Sequence, residues 1–112
     1  MKLKLMLLLI ISPILSFSQC ISGDCENGVG VYITTKKTKI DGHWKNGKPD
    51  GQCSMFYANG NSYIGEMIQG KRNGKGILKF ADGYSEEGNY QNDTLSGFVT
   101  IKFPKGSIYV GY

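Results

Sequence analysis

The chain has 112 residues, 13 Lys and Arg against 9 Asp and Glu for a formal charge of +4, and 16 glycines, 3 cysteines and 1 histidine. A chain that short forms one domain at most and can bury only a small core. Its charge is too weakly basic to indicate a nucleic-acid partner.

In chain order, residues 1–18 come first and carry the marks of a cleaved signal peptide. Lys2 and Lys4 precede an apolar run over residues 5–11, and Ser16, Phe17 and Ser18 form a small-x-small cleavage site. A membrane anchor is less favoured, because Ser12 and Pro13 break the run well short of the ~20 residues a span needs. A lipoprotein is also less favoured, since Gln19 precedes Cys20 where lipidation sites want Gly, Ala or Ser. The expectation is an exported protein, periplasmic or secreted. Loss of Lys2 and Lys4 lowers the basic count from 13 to 11 against 9 acids, leaving +2.

The odd cysteine count in an exported chain cannot be paired off internally. A bond between Cys20 and Cys25 would close a short loop in an oxidising compartment. It would leave Cys53 as a buried small hydrophobe, a free thiol or an intermolecular partner.

From residue 28 onward the sequence repeats. A shift of 23 residues superposes Gly28, Gly51, Gly74 and Gly97, then Gly60, Gly83 and Gly106, then Gly42, Gly65, Gly88 and Gly111, and finally Tyr57, Phe80 and Phe103. Within a unit the pattern alternates. Tyr63, Gly65 and Met67 share one face and Ile64 and Glu66 the other, which is the period of a strand. Residues 74–80 read as a second strand, with 69–73 as the loop between. Asn59-Gly60, Asp82-Gly83 and Lys105-Gly106 fit turns that need positive backbone angles. Each unit is therefore expected to be one hairpin, and the fold an all-β, single-layer antiparallel meander of stacked hairpins. Gly65, Gly76 and Gly88 fall inside strands, where they mark places for a ring from a neighbouring unit to lie over bare backbone. Tyr63, Phe80, Tyr90 and Trp44 are the candidate rings.

The run from Tyr63-Ile-Gly65 through Gly70 to Gly74-Lys-Gly76, followed by Phe80 and Asp82-Gly83, closely resembles a MORN repeat. The scaffold residues that the resemblance picks out are Tyr63, Gly65, Gly70, Gly74, Gly76, Phe80, Gly83 and Gly88. Departures occur: Ile40 and Glu86 stand for the leading Tyr, Asp93 for the inter-strand Gly, and Cys53 and Val99 for the second glycine of Gly-x-Gly. Residues 19–37 look like a capping half-repeat that lacks a first strand and has Lys37 where the turn glycine belongs. This cysteine-bounded start is similar to that of exported MORN proteins of Bacteroidota-like bacteria. Residues 38–112 then hold about three units, the last incomplete, stopping one strand into a new one.

Catalytic patterns are not found. His43 has no second His or Cys at a metal-ligand spacing, and Glu86 and Glu87 alternate faces of a strand rather than converge. The serines lack a histidine partner, and residues 70–76 miss the spacing and hydroxyl of a phosphate-binding loop. No catalytic, metal-binding or cofactor-binding residue is assigned, and an enzyme is not expected. The resemblance implies a protein partner, with a homodimer as one form of it. The alternative is weak binding of anionic membrane lipid through Lys71, Arg72, Lys75, Lys79, Lys102 and Lys105.

Overall fold

The computed structural model describes residues 18–112, so the expected signal peptide lies, except for Ser18, outside the described residues. Nine strands follow in order: β1 (Gln19–Gly23), β2 (Val29–Ile33), β3 (Lys39–Lys45), β4 (Lys48–Phe56), β5 (Ser62–Ile68), β6 (Lys71–Lys79), β7 (Ser85–Gln91), β8 (Thr94–Lys102) and β9 (Ile108–Gly111). They form one sheet in sequence order, each strand antiparallel to the next. The fold is thus an all-β, single-layer meander.

Two kinds of turn alternate along it. Within a unit the turn is two residues long, both with positive φ: Asn46-Gly47, Gln69-Gly70 and Asn92-Asp93. That backbone twists with the strands it joins. Between units the loop is longer and closes with the N–H of Gly60 on Tyr57 O, of Gly83 on Phe80 O and of Gly106 on Phe103 O. The glycine takes the positive-φ position each time, and Lys37 adopts it at the first turn with φ 67.

The short inner turn corrects the loop expected over residues 69–73. Strand β6 begins at Lys71, and the extra residues are absorbed as a bulge in which Glu66 alone faces Asn73, Gly74 and Lys75. The same bulge sets His43 against residues 50–52, and in the third unit Gly97 and Phe98 have no opposite residue. Gly51, Gly74 and Gly97 occupy these bulges with φ of 113, 100 and 71, which explains their shared register.

A second correction concerns the amino-terminal unit, which does have a first strand. Strand β1 pairs with β2 from Gln19↔Ile33 to Gly23↔Gly30. A disulfide joins Cys20 to Cys25, and Cys25 is buried with Ile40 and Trp44.

Each hairpin is latched to the one before it at the same 23-residue interval. The N–H of Gly47, Gly70 and Asp93 donates to the carbonyls of Glu26, Pro49 and Arg72 at 3.0, 2.8 and 2.9 Å. Side chains reinforce each latch. Asn27 accepts from Asn46 N and Asp50 from Gln69 N, while at the third junction the direction reverses and Arg72 N donates to Asp93 Oδ1 at 2.8 Å.

Candidate interaction faces

Alternation gives the ribbon two unlike faces. On one, Cys53, Tyr63, Met67 and Tyr90 form the main buried cluster, bordered by Met55, Tyr57, Leu78 and Leu95. Tyr63 is fully buried, and its hydroxyl donates to Glu66 O at 2.9 Å. Its ring lies over Gly76, where a Cβ would come within 2.5 Å of Tyr63 Cζ. The covering ring thus comes from the partner strand of the same hairpin, not from a neighbouring unit as expected. Trp44 performs a related task between units, its indole N–H donating to Gly30 O at 2.9 Å.

Tyr63 and Tyr90 meet edge to face at 5.4 Å. The Arg72 guanidinium lies 5.0 Å from the Tyr90 ring centre and 5.9 Å from that of Tyr63, and its Nε is 3.2 Å from Asp93 Oδ1. Burial pushes the Tyr63 phenol up to about 12, and burial likewise raises Tyr57, Tyr90 and the Cys53 thiol. Burial pushes the Asp93 carboxyl up, but the Arg72 N–H and guanidinium outweigh it and hold the group below its ordinary value.

The scaffold residues fall in distinct places. Gly65 pairs directly with Gly76, and Gly76 with Gly88, so three of them form one row across β5, β6 and β7. Gly70 and Gly83 are turn residues, Gly74 is in the bulge, and Phe80 is at the base of the turn that holds Gly83. They do not converge on a chemical site. Sequence reading missed the Arg72–Asp93 contact, for which opposite charges flanking successive inner turns were the available signal. It also missed a coupling between departures: Ile40 goes with Cys53, Tyr63 with Gly76 and Glu86 with Val99, so a side chain replaces glycine wherever the ring is absent.

The opposite face is open. Ile64 and Ile77 are directly paired, and Phe98 lies beside them. Phe56 and Ile64 are each 44% exposed and Phe98 60%. An open groove of about 450 Å³ runs along this face, lined by Gln52, Ile64, Lys75, Ile77, Glu87 and Phe98. Lys79 and Lys102 flank it through their pairing with Ser62 and Ser85. His43 is also exposed, on β3. Among the described residues no helix is long and apolar enough to cross a membrane.

A ribbon of 23-residue hairpins, each latched only to its neighbours and sealed on one face by its own rings, defines a β-hairpin repeat protein. The MORN repeat model matches residues 41–62 and 63–83, two adjacent units. These two units are MORN repeats. The chain is also 35% identical over 65 residues to the inactive protein tyrosine kinase pTKL of Plasmodium berghei (strain Anka), a match that covers 57% of this chain and 5% of that protein. The chain therefore spans a small fraction of the curated relative's length. MORN repeats generally serve as protein- or membrane-interaction modules.

Proposed function

We propose that this protein is a non-catalytic protein–protein interaction module that works outside the cytoplasm after residues 1–18 are removed. The observation that carries this reading is the asymmetry of the ribbon. One face satisfies itself with Tyr63, Met67, Tyr90 and Trp44, whereas the other leaves Phe56, Ile64 and Phe98 in solvent around a groove. Contiguous exposed apolar surface rimmed by polar side chains marks an interaction surface. The patterned residues are occupied in turns, bulges and ring contacts, which leaves recognition to the open face. A second copy of the chain is one candidate partner.

A photo-crosslinking residue placed at Gln52, at the groove, tests this reading in the exporting cell. A discrete adduct from position 52 and none from the buried position of Met67 is the expected result. No adduct from either would defeat it.

Lysines 79 and 102 on the open face favour a second reading, peripheral contact with anionic lipid. Each basic residue near such a surface is worth about 1 kcal/mol, and the effect fades with salt. Co-sedimentation with phosphatidylserine vesicles at low salt that vanishes at high salt would support it, and no sedimentation at low salt would remove it.

A further inference from the structure

Glu86 stands where the preceding unit has Tyr63, and Val99 where that unit has Gly76. The stripe of rings on the sealed face is interrupted there. In its place is a slot of about 260 Å³ lined by Phe80, Asp82, Tyr84, Glu86 and Ile101. One Asp82 oxygen accepts from Tyr84 N at 3.3 Å, which fixes that carboxylate at the mouth of the turn. Glu86 is half-buried, and it has no salt-bridge partner among the described residues. Lys105 lines the adjoining cleft with Tyr84, Phe103, Pro104 and Ser107 but does not line this slot.

Elsewhere on the same face the ribbon already holds a guanidinium between rings and a carboxylate. Arg72 lies against the rings of Tyr63 and Tyr90 and pairs with Asp93. Two rings and a carboxylate enclose a cation there, whereas at the slot the rings and the carboxylates are present without one.

We propose that the slot receives an arginine side chain from a partner protein, the guanidinium stacking on Tyr84 and donating to Glu86. A planar guanidinium can lie on a ring and still direct its N–H fork at a carboxylate, which a lysine ammonium cannot do. Two carboxylates exclude phosphate and other anions. This inference rests on the interaction-module reading and places one polar anchor of that interaction outside the open groove.

Titration of the nitrogen-15-labelled protein with Nα-acetyl-arginine amide, followed by NMR, tests it, with Nα-acetyl-citrulline amide as the neutral isostere. Saturable shifts confined to Phe80, Tyr84, Glu86 and Ile101 are expected, with dissociation in the millimolar range that so small a ligand reaches. The citrulline probe should bind at least about fivefold more weakly. Glu86→Gln should weaken the arginine probe about threefold to tenfold without moving resonances elsewhere, and Tyr84→Leu gives an independent variant with the same expectation. Absence of saturable shifts, equal binding of citrulline, or unchanged affinity in both variants overturns the proposal. Equal binding by Nα-acetyl-lysine amide overturns the choice of guanidinium. A negative titration with a cross-link still formed at position 52 sinks the slot alone, while a positive titration without that cross-link sinks the open-face reading alone.

Discussion

Tyr63 and Gly76 act as one unit. The ring fills the volume that a side chain at position 76 would take, so neither residue can change independently. Gly76→Ala should cost about 2–3 kcal/mol through overpacking. The same substitution in a Tyr63→Ile background should cost at least about 1 kcal/mol less, because the ring is gone. Urea melts of the four species measure this, and purely additive losses would refute the pairing. Asp93 offers a second test at this scale. Its carboxyl is held below the ordinary value of 3.8 in the fold, so its contribution is present above that pH and is lost as pH falls through the lower folded value. The side chain is 48% exposed, which limits the contribution to under about 1 kcal/mol. Asp93→Asn should lower the thermal midpoint slightly near pH 6, and the gap from the parent protein should close as pH falls below 3.8 through the lower folded value. A gap that widens on acidification would contradict the assignment.

Elements were legible in the sequence to different degrees, for physical reasons. Strand β5 could be read because every second side chain is buried, so period two survives in the residue types. The start of β6 could not. Residues 69–73 look like a loop because they are all polar or glycine, yet β6 begins at Lys71 and Gly74 uses its positive φ for a bulge inside the strand. Strand β1 was hidden because all five of its residues are exposed and no alternation marks them. Of the candidate interaction faces, the apolar residues of the open side were visible from alternation, whereas the slot at Glu86 required the contacts between units. The outer turns give a prediction at this scale. Lys37 stands in the conformation that glycine takes at the later turns, so Lys37→Gly should stabilise the protein by about 0.5–1 kcal/mol. A Cβ at Gly106 would meet nothing within 4 Å, so Gly106→Lys isolates the backbone penalty and should cost about 1–2 kcal/mol. Thermal melts decide both, and a neutral Gly106→Lys would show that this turn is not held in the left-handed region.

Across the whole molecule, stability passes from hairpin to hairpin. Every strand packs against its sequence neighbours, and the buried residues form two clusters on one face, one around Trp44 and the other around Tyr63. A single layer cannot bury both sides, so apolar residues on the open face contribute little to folding. Their presence there is the basis for reading that face as a docking surface. Ile64 and Phe98 are 44% and 60% exposed, and replacing both by serine discriminates between a structural and an interaction role. The decisive measurement is the urea unfolding free energy of the Ile64→Ser, Phe98→Ser double variant. The expected result is a value within about 1 kcal/mol of the parent protein, as for surface substitutions. A loss above about 3 kcal/mol would mean that the open face is part of the core and would contradict the account.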